Sequence, residues 1–182
     1  MQAPPTLRTR RLLLRRPEPG DAHTIFTRYA SDEAVTRYLG WRRHTTEEET
    51  WAFLSFAADE WRRWGAGPYL IVGRDDGVLL GSTGLAFETP YRASTGYVLA
   101  RDAWGHGFAT EALLAMTELA ESLGVRRLYA LCEAGHEASR RVLEKGGFDA
   151  EARLARYLVF PNLDDPEPRD VLCYTRLLPA PR

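Results

Sequence analysis

The sequence predicts a mixed α/β sheet rather than a doubly wound parallel one, and three observations carry this. Apolar runs of strand length come in succession: "PYLIVGR", "VLLGSTGLAF" and "STGYVLA" follow one another with no helical segment between them. Parallel strands need long crossovers, so such runs point to antiparallel pairing. Asp75, Asp76 and Gly77 separate the first two runs, and Asp-Gly tolerates the positive φ of a hairpin turn. Finally, segments with helical periodicity fall before the group, after it and among the later strands, giving an irregular alternation.

The elements follow in order. "LRTRRLLLRRP" reads as a first strand, basic on its solvent side and stopped by Pro17. Asp21 is placed to cap a helix in which Ile25, Phe26 and Tyr29 recur at helical spacing. "TTEEETWAFLSFAADEWRRWG" is a stronger helix. Thr45 or Thr46 caps it, Glu47 to Glu49 complement its positive end, and Gly65 stops it. After the three strands, "ATEALLAMTELAESLG" places Ala112, Leu113, Met116, Leu119, Ala120 and Leu123 on one stripe, and Gly124 ends that helix. "VRRLYALC" is a strand, "HEASRRVLEKGG" a short helix, and "FDAEARLARYLVF" and "RDVLCYTRLL" the last two strands. The acidic loop "PNLDDPEP" joins those two.

The chain has 182 residues, read as one domain over 1–182. A domain of this length buries roughly 70% of the surface its unfolded chain exposes, so it folds without disulfides or metal. The formal net charge of -1 gives no general attraction to nucleic acid or anionic membrane. Cys132 and Cys173 form no CxxC, lie in apolar runs and read as buried thiols. His23, His44, His106 and His136 show no ligand spacing, so no metal is expected. No apolar run approaches the ~18 residues of a membrane span. The N-terminal segment has basic residues but no long apolar region. A cytoplasmic location is expected.

The stretch "WGHGFATE" carries the chemistry. The first N–H groups of a helix are unpaired, and the helix dipole adds positive charge there, so an anion fits. Gly105 and Gly107 keep side chains out of the loop, Ala109 is the next smallest residue, and Thr110 adds a hydroxyl. A tight strand-to-helix turn with glycines for geometry alone accounts equally well for these residues taken by themselves. A dinucleotide fingerprint needs a third glycine and finds Thr110, and no G-x-x-x-x-G-K-[ST] loop is present.

"GYVLARDAWGHGFATEALLAMTELA" followed by "HEASRRVLEKGGF" resembles the GNAT acetyltransferases, and most of all the branch with RimJ and RimL ribosomal-protein N-terminal acetyltransferases. Gly107 and Ala109 occupy the last two marked positions of the family's acetyl-CoA motif. Trp104 stands where Gln or Arg is usual, a variation typical of the branch. In the second motif His136 takes an Asn position, and Ser139, Glu144, Lys145, Gly147 and Phe148 are in place.

The resemblance implies a mostly antiparallel sheet splayed between its fourth and fifth strands, flanked by about four helices, with acetyl-CoA in the cleft. Backbone groups near Val98 and Leu99 would pair with the pantetheine. Gly105, His106, Gly107, Phe108, Ala109 and Thr110 would surround the pyrophosphate, and His136 and Ser139 would lie along the cofactor's other side. The family moves acetyl directly to an amine. The reaction needs a neutral amine, a donor for the developing oxyanion (a backbone N–H near Leu99) and a hydrogen bond for the departing thiolate, from Ser139. Many relatives carry a Glu where this chain has Ser94, so Glu88 is the remaining carboxylate candidate for the base. Tyr157 is a further group that would approach the thiolate. Trp41 is the candidate wall of the acceptor pocket. Arg42 and Arg43 beside it suit an acidic group, whereas the acidic loop from Asp164 to Glu167 suits a cation. The acceptor is therefore open between a protein N-terminus and a small amine. An acyl-CoA sensor without catalysis is the second reading. No motif speaks for or against a homodimer.

Overall fold

A computed structural model describes residues 2–165 and 167–179. Pro166 of the acidic loop, Met1 and residues 180–182 lie outside the described residues. The order is β1 (Thr6–Arg8), β2 (Leu12–Arg15), α1 (Ala22–Ile25), α2 (Glu33–Thr36), α3 (Glu47–Trp64), β3 (Pro68–Gly73), β4 (Leu79–Thr89), β5 (Arg92–Leu99), α4 (Phe108–Ser122), β6 (Arg127–Glu133), α5 (Glu137–Lys145), β7 (Asp149–Leu158) and β8 (Arg169–Leu177). The eight strands form one sheet in the order β1-β2-β3-β4-β5-β6-β8-β7. Every neighbouring pair is antiparallel except β5 with β6.

The expected first strand is a hairpin. Thr9 breaks it, because its hydroxyl bonds the Leu12 backbone and its N–H reaches the Leu12 carbonyl. Side-chain hydrogen bonds of this kind compete with the strand ladder. Asp21 does not cap α1. Its carboxylate instead accepts from the Glu18 N–H at 2.7 Å and pairs with Arg15. After α1 the helix widens into a π-turn over Phe26–Ala30, and the one-turn α2 brings the α-helices to five. α3 keeps its expected limits: Thr46 and Glu49 form a reciprocal cap, and Gly65 ends the helix at φ 68.

The sheet is covered on both faces. Along β3, Tyr69 and Ile71 join the core beneath α4, while Leu70 and Val72 join a second core with Ile25, Tyr29 and Leu54. This is the period of two expected of a strand buried on both sides. In α4, Ala112, Leu113 and Met116 are fully buried. Burying a residue such as Leu113 contributes about 1.5–3 kcal/mol, which seats the helix firmly on the sheet.

The single parallel pair positions the site. β5 and β6 pair only at Arg92↔Arg127, Ala93↔Leu128 and Ser94↔Tyr129. From Thr95 to Leu99 β5 has no partner on that side. The sheet therefore opens as a wedge between the fourth and fifth strands of the sequence-based reckoning, which are β5 and β6 once the N-terminal hairpin is counted as two strands.

Candidate active site

The open edge of β5 presents unpaired backbone. Tyr91 turns its carbonyl toward the β6 side, where the Arg127 N–H reaches it, and Ala100 turns its N–H the other way, to the Leu80 carbonyl on β4. Strand backbone alternates sides, so Thr95, Tyr97 and Leu99 direct their N–H and C=O groups into the wedge. The Leu99 carbonyl is occupied by the Trp104 indole N–H at 2.9 Å. Trp104, half-exposed beside the glycines, thereby ties the glycine loop to the end of β5. The Leu99 N–H points into the wedge.

The glycine loop leads directly into α4. Gly105 and Gly107 both sit at φ 78, in the left-handed region that other residues enter at a cost. A side chain on Gly105 would meet nothing within 4 Å. The loop thus leaves open space in front of the α4 N-terminus, where the N–H groups of Phe108, Ala109 and Thr110 have no partner within the helix. Such a cradle fits a pyrophosphate. Behind it stands Arg11, which sequence reasoning assigned only to a basic strand. Its Nη1 donates to the His106 carbonyl at 2.8 Å, its Nε pairs with Glu111 at 2.7 Å, and its guanidinium lies 4.6 Å from the Phe108 ring centroid. Glu111 also accepts from the Thr9 hydroxyl and the Arg11 N–H. Burial opposes ionisation of this carboxyl, but those hydrogen bonds outweigh it and hold its pKa below the usual carboxylate range. The hairpin that splits the first strand therefore braces the loop from behind.

Two cavities meet in the wedge. One, of about 680 Å³, is lined by Val98, Leu99, Gly105, Ala109, His136 and Ser139 among others. Of the remaining sequence-selected cofactor residues, His106, Gly107, Phe108 and Thr110 do not line it. His106 is exposed and stacks on Phe108 at 5.7 Å between centroids. The second cavity, of about 470 Å³, is walled by Trp41, Phe53, Phe56, Leu158 and Phe160. Tyr38, Leu39, Tyr97, Val98, His136 and Ser139 line both. These shared residues mark the junction.

At the junction the Tyr97 hydroxyl lies 2.9 Å from Ser139 Oγ and 3.1 Å from the Ser139 carbonyl oxygen. Burial pushes the Tyr97 phenol well above its ordinary pKa, so it keeps its proton. Tyr97 was the missed residue. It stands in the "GYVLA" motif, and alternation from the core residue Ala93 places it on the α5 side of the sheet. Tyr157, by contrast, is 56% exposed and lines neither cavity. His136 makes no side-chain cap on α5, and its ring stacks on Tyr38 with centroids 4.3 Å apart. Burial lowers its pKa, so the ring is neutral at neutral pH. Cys132 also lines the second cavity, and burial pushes its thiol up to about 11, leaving it protonated.

Glu88 is not brought to the wedge. It sits at the irregular end of β4, pairs with Arg92 at 2.6 Å and accepts from the Tyr129 hydroxyl. Those two contacts engage its carboxylate, and Glu88 lines neither cavity. Trp41 does line the second cavity, held by the Asn162 amide at its carbonyl. Among the described residues, no three His, Cys, Asp or Glu side chains are grouped as metal ligands, and no helix is long and apolar enough to cross a membrane.

Residues 11–149 match the family model described as the acetyltransferase (GNAT) domain. The uncharacterized N-acetyltransferase YoaA of Bacillus subtilis (strain 168) is 36% identical over 162 residues, covering 85% of this chain and 88% of its own. A GNAT-family acetyltransferase from Bacillus anthracis shares the fold at TM-score 0.81 and 24% identity, over 94% of this chain and 98% of that one. RimL, the ribosomal L7/L12 alpha-N-protein acetyltransferase solved in complex with coenzyme A, gives a TM-score of 0.83 at 22% identity, over 95% and 98% of the two chains. A wedge opened beside a glycine-led helix, a family model spanning most of the chain and a Bacillus relative at this identity converge: the chain belongs to the GNAT acetyltransferases.

Proposed function

We propose that the protein transfers acetyl from acetyl-CoA directly to a primary amine, with no covalent enzyme intermediate. The observation that carries this reading is the Tyr97–Ser139 pair at the junction of the two cavities. Acetyl-CoA supplies an activated acyl thioester. The free N–H groups at the α4 start would hold its pyrophosphate, and the open edge of β5 its pantetheine. The Leu99 N–H, pointing into the wedge, is the donor for the developing oxyanion, and a backbone donor fixed in advance costs no reorganisation. The Ser139 hydroxyl donates a hydrogen bond to the departing sulfur, and the Tyr97 O–H, donating to Ser139 Oγ, makes that hydroxyl a better donor. A serine hydroxyl stabilises this charge rather than surrendering its proton.

The amine must arrive neutral or lose its proton at the junction. Glu88 is engaged by Arg92 and Tyr129 and lines neither cavity, and among the described residues His136 is the titratable nitrogen that lines both. Kept neutral by burial, it is placed to take a proton, directly or through one water. Holding amine and acyl group together supplies much of the remaining rate enhancement.

Acetyl-CoA should raise the melting temperature increasingly with concentration. No shift at millimolar acetyl-CoA overturns the assignment. Release of free thiol over a panel of amines and peptides separates transfer from sensing: binding without thiol release on any acceptor would establish the acyl-CoA sensor instead.

A further inference from the structure

The second cavity carries a charge pattern that speaks to the acceptor. It is lined by aromatic, aliphatic and small residues; among the described residues no lysine or arginine lines it, and Glu60 is its one carboxylate. Sequence spacing puts it there. Phe53, Phe56 and Glu60 recur at three and four residues along α3, beside the buried stripe of Leu54, Ala57 and Trp61. One stripe faces the core and the next faces the cavity. The other charged groups around Glu60 are engaged: Asp59 pairs with Arg62 at 2.7 Å, and Arg63 lies over the Trp64 ring. Among the described residues Glu60 has neither an ion-pair nor a hydrogen-bonding partner, although it is half-buried.

Its distance from the junction decides its role. The Glu60 Cβ packs close to Gly67, and the next residue, Pro68, pairs with Gly84, which pairs with Gly96 beside Tyr97. Two strand spacings separate these columns, about 10 Å. Glu60 thus sits about two strand spacings, roughly 10 Å, from the strand that carries Tyr97. That is too far for it to take the proton of the attacking amine and suits it to hold the opposite end of the acceptor.

We infer that the acceptor is a small diamine: one amino group is acetylated at the Tyr97–Ser139 junction, and a second, positively charged group at the far end of an apolar body is held by Glu60. The aromatic walls suit the apolar body and also the face of a cation. An acceptor with a carboxylate at its far end would place two like charges together in a partly desolvated cavity. This inference rests on the acetyl-transfer reading above.

Three series of equal chain length test it: α,ω-diamines, the matching alkyl monoamines and the matching ω-amino carboxylates, each followed by thiol release from acetyl-CoA. The expected order of kcat/KM is diamine, then monoamine, then amino carboxylate, with about tenfold per step, the worth of one charge-assisted contact. In Glu60→Gln the diamine advantage over the monoamine should vanish while monoamine turnover and acetyl-CoA affinity hold. In Glu60→Lys the amino carboxylate should overtake the diamine. Monoamines and diamines used equally well by the unaltered protein, or an order unmoved by Glu60→Gln, overturns the inference and leaves acetyl transfer standing. Thiol release by no amine, with acetyl-CoA bound, overturns both. A short peptide with a basic side chain near its free N-terminus is the remaining arm: turnover of that peptide alone, with none of the diamines, overturns the small-molecule assignment.

Discussion

The two halves of the active-site wedge are built in opposite ways. The proposed pyrophosphate cradle comes from one continuous run, Val98 to Glu111, in which strand end, glycine loop and helix start follow each other directly, although Tyr38, His136 and Ser139 complete the first cavity from other elements. Its geometry is set by backbone: φ 78 at Gly105 and Gly107, the Trp104 indole on the Leu99 carbonyl, and Arg11 on the His106 carbonyl. The acceptor side is assembled from side chains scattered over the chain, with Trp41, Phe56, Glu60, Leu158 and Phe160 meeting only in three dimensions. Backbone geometry leaves a compact motif in the sequence. Side-chain walls on separate elements leave none, and they can be altered without disturbing the cradle. On the proposed reading the donor's pyrophosphate is held by local structure and the acceptor by tertiary structure, so the halves should be separable by mutation.

The strongest way to break this division is Gly107→Val. A β-branched residue at φ 78 costs about 1–3 kcal/mol of backbone strain or forces the loop to move. Acetyl-CoA affinity should fall by about tenfold to a hundredfold by titration calorimetry. The acceptor KM, measured at saturating acetyl-CoA, should not change. An equal rise in acceptor KM would show that the loop also shapes the second cavity.

Ser139→Ala tests the junction. Losing one hydrogen bond to the departing thiolate should lower kcat by about ten- to thirtyfold, with acetyl-CoA binding kept. Tyr97→Phe should show a smaller drop in the same direction, since it acts through Ser139. Unchanged turnover in Ser139→Ala removes that residue from the mechanism.

Arg11→Ala sharpens the comparison, because the Arg11 side chain braces the glycine loop and the first turn of α4 from behind and lines neither main cavity. It should raise the Kd of acetyl-CoA about fivefold to tenfold while leaving pantetheine fragments that lack the pyrophosphate unaffected. Equal losses for both ligands would mean that Arg11 supports the whole sheet edge rather than the cradle. On the other half, Trp41→Ala should raise acceptor KM about threefold to tenfold at unchanged acetyl-CoA affinity, by loss of a partly exposed wall.

How much of this was legible follows the same line. The α3 limits, the Asp-Gly hairpin and the α4 stripe were readable because caps, turns and periodicity are local signals. The split of the first strand was not: Thr9 turns the chain by bonding the Leu12 backbone, a threonine contact without a turn signature, and the turn is anchored by Glu111 about a hundred residues away. Gly105, Ala109 and Ser139 were singled out and line the first cavity. Glu88 is the remaining carboxylate once Ser94 stands in the usual Glu place, but it pairs with Arg92 and Tyr129 and lines neither cavity. Tyr97 stands in "GYVLA", a run that by itself names no partner for the phenol. Its contact with Ser139 appears only in the fold, where α5 brings that hydroxyl to 2.9 Å from the phenol.

His136 belongs to both halves, and its titration is the finest test of where one ends and the other begins. Burial lowers its pKa below the ordinary histidine value, and burial lowers that of His44 as well. Near and below pH 6.5 the unfolded chain therefore binds protons that the folded chain does not, and stability falls as pH drops through that range. The carboxylates held low, Asp21 and Glu111, release their stabilisation only at more acidic pH, so the two windows separate. His136→Asn should flatten the loss of melting temperature between about pH 7.5 and 5.5, with the remaining slope due to His44. The effect should stay below the one-proton limit, because the ring is partly open to solvent. If His136 also accepts the amine proton, the acidic limb of kcat/KM should disappear in the same variant while acetyl-CoA affinity changes little. A flattened melting curve with an intact acidic limb would make His136 part of the cofactor wall alone, and would leave proton removal to water entering from the acceptor side.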